Sequence, residues 1–170
     1  MELSCALPPS LAAVDHIVEA EGSATNGRGS STRPRLYPDV WAIAALAAVR
    51  TERIGLGPAV LVPNLRHPLT QASAIATLEQ LAPGRAVVAI GTGFTGRMAM
   101  GKRALTWAYT RRYIEQLRAL LRGEAVEVDG AVVQMLHGEG FACPAHLHAD
   151  SSSPPTDRRA WKWQRSSATA

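Results

Sequence analysis

The run Gly91-Thr92-Gly93-Phe94-Thr95-Gly96 matches G-x-G-x-x-G, a spacing that lets backbone N–H groups come close to a phosphate. It directly follows the apolar residues 86–90, so the loop opens at the end of an expected buried strand. Three readings follow: a Rossmann dinucleotide site, a phosphate loop on the rim of a barrel, and a bare turn. A Rossmann site needs a helix opening within the motif and an acid at the end of the next strand, about 20 residues on. The acid near that distance is Glu115, inside an expected helix, so the barrel loop is the better supported reading.

Arg66-His67-Pro68 stands where an apolar strand gives way to a helix, the catalytic rim in a barrel. Arg66 could meet an anionic cofactor group; equally, it could pair with a carboxylate while His67 caps the helix. His16, His137, His146 and His148 show no convincing ligand spacing with an acid or cysteine, so no metal site is expected. There is no Gly-x-Ser-x-Gly elbow, Walker A lysine or His-Glu-x-x-His helix, and hydrolase and nucleotidase chemistry has no positive support.

The elements that must carry these residues alternate. Residues 2–7 read as a short strand, and Ser10 as the N-cap of a helix through Leu11, Val14, Ile17 and Val18. Pro38 suits the first turn of a second, Ala-rich helix over 41–49. Residues 54–62 form a doubly buried strand that Pro58 must distort, and Pro68 starts a helix that ends at Pro83-Gly84. A helix over 104–122 turns Ile114, Leu117, Leu120 and Leu121 to one face. Asp129-Gly130 between two short apolar runs predicts a hairpin with a type I′ turn. Strand–helix alternation is the α/β pattern with a parallel sheet.

The chain has 170 residues, short of the roughly 250 of a complete (β/α)8 barrel. Its net charge of +4 raises the question of nucleic acid, but aromatics are only 5%. The excess lies in two segments, 22–35 and 151–170, each +3; the rest holds 11 basic and 13 acidic residues, and no nucleic-acid partner is expected. Cys5 and Cys143 have no paired spacing, which fits a reducing, cytoplasmic setting. The start of the chain lacks a signal-peptide pattern and no apolar run approaches about 18 residues, so no membrane association is expected.

Thr51-Glu52-Arg53-Ile54-Gly55-Leu56-Gly57, Arg66-His67-Pro68, Gly84-Arg85 and Gly91-Thr92-Gly93, in this order, resemble the luciferase-like flavin-dependent oxidoreductases. The likeness spans about residues 36–138 and, more loosely, 3–21. Residues 7–10 (LPPS) and 57–60 (GPAV) are most similar to the methylenetetrahydromethanopterin reductase-like branch. The resemblance implies an incomplete (β/α)8 TIM barrel over 1–142, with an atypical segment at 22–35 and an irregular tail at 143–170. It implies coenzyme F(420) or FMN bound at the C-terminal ends of the strands, and hydride transfer with a small-molecule substrate. Ala59 and Val60 would form a strand bulge, a non-proline cis peptide backing the deazaflavin ring. Gly91, Thr92 and Gly93 would lie on the cofactor's phosphate side. No catalytic proton donor is assigned, and a homo-oligomer is one expected assembly. The alternatives are a Rossmann-type NAD(P) domain and a non-catalytic barrel remnant.

The family pattern has a strand where this chain has residues 22–35. One codon choice for that segment, read two bases later, gives LGYERAWVFDSPAL, a strand of the expected type. The same shift on 151–170 can give LLVAANGPKGLEVATELGDG, a strand, glycine loop and helix. A compensated frameshift at the first place and an uncompensated one after about residue 142 account for both. Such a chain is expected to expose sheet edges and apolar faces, and to be poorly soluble or partner-dependent.

Overall fold

The computed structural model describes residues 6–23 and 38–136. The opening strand through residue 5, most of 22–35, both cysteines, His137, His146, His148 and the tail lie outside them. The order is α1 (Leu11–Gly22), α2 (Val40–Ala48), β1 (Ala59–Leu61), α3 (Pro68–Leu81), β2 (Ala89–Ile90), α4 (Phe94–Met98), α5 (Trp107–Leu121), β3 (Val126–Val128) and β4 (Ala131–Val133). β1 and β2 are parallel neighbours joined through α3, the β-α-β unit of an α/β barrel.

Side-chain caps start every helix but α4. Ser10 accepts from the Ala13 amide and Thr106 from that of Tyr109. Asp39 accepts from Trp41 and Ala42, which moves the cap of α2 to Asp39 and leaves Pro38 outside the first turn where it was expected. α1 runs one residue into the atypical segment 22–35, ending at Gly22 with Ser23 as its cap. Ala13, Val14 and Ile17 fill the buried face of α1, and Leu11 is 73% exposed. α5 starts at Trp107, not near 104, because Thr106 takes the N-cap.

The expected distortion at Pro58 splits the first parallel strand. Leu56 bridges Ala86, Gly57 is unpaired, the Pro58 carbonyl accepts from the Ala89 amide at 3.1 Å, and β1 resumes at Ala59. A Cβ on Gly57 would lie 1.8 Å from the Val87 carbonyl oxygen, so only glycine permits this approach of the two backbones. Asp129 and Gly130, at φ 50° and 83°, make the tight β3–β4 turn as expected.

Two apolar clusters fill the interior. The first joins Val14, Ile17, Ile43, Ala47, Ile54, Leu56, Leu78 and Ala86 at the strand beginnings. The second joins Leu61, Ile75, Val88, Ile90, Tyr113, Ile114 and Leu117 at the strand ends and under α5. Trp41 packs against both. Among the described residues no helix is long and apolar enough to cross a membrane.

Candidate active site at the strand ends

Ala59, Val60, Gly91, Thr92 and Gly93 come together at the C-terminal ends of β1 and β2. Ala59 pairs with Ala89 and Leu61 with Ile90, so Val60 is one residue in excess, a β-bulge. The Ala59–Val60 peptide is cis, as the resemblance implied. All five residues are half-buried.

The glycines meet demands of the chain itself. A Cβ on Gly91 would stand 2.9 Å from Val60 Cγ1, and one on Gly93 2.2 Å from Val62 Cγ1. Gly93 also sits at φ 78° as the N-cap of α4, a conformation that favours glycine. The Gly91 amide already donates to the Leu61 carbonyl at 3.0 Å, and the Thr92 carbonyl accepts from the Leu105 amide at 2.9 Å. The result is a shelf poor in side chains, with Val60 as its main projection. A planar ring fits such a shelf, whereas the Gly91 N–H is not free to hold a phosphate.

Arg66 takes the plainer of its two expected roles, pairing with Asp39, whose other oxygen caps α2. His67 Nδ1 accepts from the Leu69 amide at 3.1 Å and caps α3. One exposed carboxylate thus ties the α2 start to the loop before α3. A second tie runs from the Tyr109 hydroxyl to Asn64 Oδ1 at 2.6 Å. Both residues of this pair line a cavity of about 540 Å³ together with Arg112, Glu127 and Asp129, and none of the shelf residues lines it. Beneath the rim, Gln71 Nε2 and the Tyr113 hydroxyl are buried with no partner among the described residues. Burial first, and neighbouring Tyr109 second, push the Tyr113 phenol well above its usual range.

One feature of this rim escaped the charge count. Between Ile90 and Ile114 stand Arg97, Lys102, Arg103, Arg111 and Arg112 with no acid, a larger local excess than in either of the two segments singled out. A sliding charge window, rather than a search for low-complexity composition, finds it.

The parallel β-α-β unit with its shelf at the strand ends is the arrangement by which (β/α)8 barrels place their ligands. The chain belongs to the luciferase-like monooxygenase family, whose model matches residues 14–162. It is 34% identical over 98 residues to a 5,10-methylenetetrahydromethanopterin reductase of Archaeoglobus fulgidus, covering 55% of this chain and 29% of that protein. It is 36% identical over 125 residues to an F(420)-dependent glucose-6-phosphate dehydrogenase of Beutenbergia cavernae, covering 67% and 37%. In fold it is similar to the coenzyme F(420)-dependent tetrahydromethanopterin reductase of Methanopyrus kandleri, with a TM-score of 0.66 and 24% identity over 86% of this chain and 46% of that one. The chain thus spans about a third of these curated relatives and about half of that structure.

The Rossmann alternative falls with this membership. The helix opening in the motif is only five residues long, and Glu115 is an exposed α5 residue paired with Arg111 at 2.9 Å.

Proposed function

We propose that this chain carries part of an oxidoreductase site that binds coenzyme F(420) or FMN and serves hydride transfer with a small organic substrate in the cytoplasm. The observation that carries the reading is the side-chain-poor shelf at the strand ends, built from Ala59, the bulged Val60 and Gly91–Thr92–Gly93. When bound, the flavin or deazaflavin supplies the hydride chemistry. The chain's own part is to present a flat apolar face to one side of the ring and to keep the loop after β2 close against β1. Fluorescence titration of the full chain with F(420), FMN and NADPH tests this. Saturable binding of F(420) or FMN supports the proposal; binding of NADPH alone, or of none of the three, overturns it, the last result favouring a non-catalytic remnant.

We further propose that residues 1–142 descend from a barrel and that 22–35 replaced a strand through a compensated frameshift. α1 ends at Gly22 with Ser23 as its cap, so the replaced segment begins where this helix stops. The nucleotide sequence tests this: if the second frame does not encode that string, the frameshift is excluded.

A further inference from the structure

The two loops of the shelf share one anchor, the beginning of α5. On the β2 side, Leu105 N–H, just ahead of the Thr106 cap, donates to the Thr92 carbonyl at 2.9 Å. On the β1 side, among the described residues, the loop 62–65 makes a single hydrogen bond to another element: Asn64 Oδ1 accepts from the Tyr109 hydroxyl at 2.6 Å. Both partners are suited to this bond. Asn64 sits at φ 67°, a left-handed conformation that asparagine tolerates better than most residues, so one side chain meets the demand of the turn and supplies the acceptor. The Tyr109 ring packs against the second apolar cluster, which fixes where its hydroxyl points. Val62, two residues before Asn64, lies against Gly93, so the two loops are face to face and a shift of one moves the other.

We propose that Tyr109 is a positioning residue of the shelf: through Asn64 its hydroxyl holds the loop after β1 at the distance from Gly91–Thr92–Gly93 that a flavin or deazaflavin ring requires. The inference rests on the proposed function for the identity of the ring, whereas the clasp itself requires no cofactor. The pair also lines the neighbouring cavity, where water competes for both groups, so the effect of breaking it is moderate rather than all-or-none.

Amide-resolved hydrogen exchange and cofactor titration of the full chain test this together. Tyr109→Phe is expected to raise exchange at the Gly91 and Leu105 amides about fivefold, with the Ile54 amide, held by Glu21 at the other end of the β-α-β unit, unchanged. F(420) or FMN, whichever the wild type takes, is expected to bind Tyr109→Phe about fivefold more weakly. Asn64→Gly keeps the left-handed backbone and loses the acceptor, so it should match Tyr109→Phe. Asn64→Asp keeps both and should restore affinity to within about twofold of wild type. The double variant N64G/Y109F should bind no more weakly than either single variant, because the same bond is lost in all three. Arg50→Ala breaks an exposed pair of similar length between α1 and the end of α2 and should leave cofactor affinity unchanged. Unchanged exchange at Gly91 in Tyr109→Phe overturns the inference. So does faster exchange with unchanged affinity, N64D binding as weakly as N64G, or an equal loss in Arg50→Ala. A wild type that binds neither cofactor removes the cofactor reading, and exchange at Gly91 still decides whether the clasp exists.

Discussion

The two ends of the β1–α3–β2 unit are built differently. Where the strands begin, polar side chains clamp backbone to backbone. Glu21, at the end of α1, accepts the amides of Arg53, Ile54 and Glu52 at 2.6 to 3.0 Å. Arg85 donates to Thr51 Oγ1 and to the carbonyls of Ile54 and Ala48, while Glu79 accepts from the Gly84 and Ala86 amides. Where the strands end, the connections are exposed pairs, Arg66 with Asp39 and Tyr109 with Asn64, above two buried polar groups that have no partner among the described residues. One end is pinned for stability and the other left adjustable, the division expected when a barrel keeps its chemistry on one rim.

The largest effect should come from the point where the two strands approach most closely. Gly57→Ala places a methyl against the Val87 carbonyl, whose oxygen and carbon are backbone atoms that cannot swing aside. A loss of about 3 kcal/mol or more is expected in urea unfolding. Gly130→Ala has open space around it and suffers only from φ 83°, so about 1 kcal/mol is expected there. Equal losses at the two glycines would remove the close approach as an organising constraint.

The clamped end should also make stability depend on pH. Burial alone would raise the Glu21 pKa, but the amides of Arg53, Ile54 and Glu52, with the Arg53 charge, hold its carboxyl below the ordinary range. A folded-state pKa below the unfolded one gives stability that is present above the unfolded pKa and lost as pH falls through the folded one. Glu21→Gln is therefore expected to cost about 1–2 kcal/mol at pH 7 and much less at pH 3. A pH-independent cost would mean that the carboxylate charge contributes nothing to the clamp.

At the rim, stability and binding should separate. Arg66→Ala removes a half-exposed ion pair and is expected to cost no more than about 1 kcal/mol. Gly91→Ala should cost about 1 kcal/mol by pressing on Val60, yet weaken F(420) or FMN by about tenfold, because the shelf then gains a projecting methyl. If Gly91→Ala alters melting but leaves cofactor affinity untouched, the shelf is not the binding surface.

Much of this division was legible in the chain. Apolar runs and caps located the strands and helices because burial and backbone hydrogen bonding are local demands, and Asp129-Gly130 fixed its turn by φ alone. The bulge and cis peptide at Ala59–Val60 came from ordered family motifs, not from any property of Ala or Val. What periodicity does not carry is pairing across space. Glu21 reaching residues 52–54, Asp39 capturing Arg66, and the Gly91 amide committed to Leu61 each depend on how separate elements pack. The basic loop is legible as cations without an acid, though its charges are diluted among apolar residues and glycines.

The smallest effect bears on the core under the rim. Tyr113 is 1% exposed with its hydroxyl unpartnered among the described residues, so folding strips that group of water without replacing the bond. Tyr113→Phe keeps the ring among Ile75, Ile114 and Leu117 and removes the cost. The variant is expected to be more stable by up to about 1 kcal/mol, read as a higher urea midpoint with unchanged slope. Destabilisation would mean that the hydroxyl is satisfied in solution, by water or by chain outside the described residues. The strand ends would then be held by a buried polar contact much as the strand beginnings are held by Glu21 and Arg85, and the contrast between the two ends would narrow to their exposed pairs.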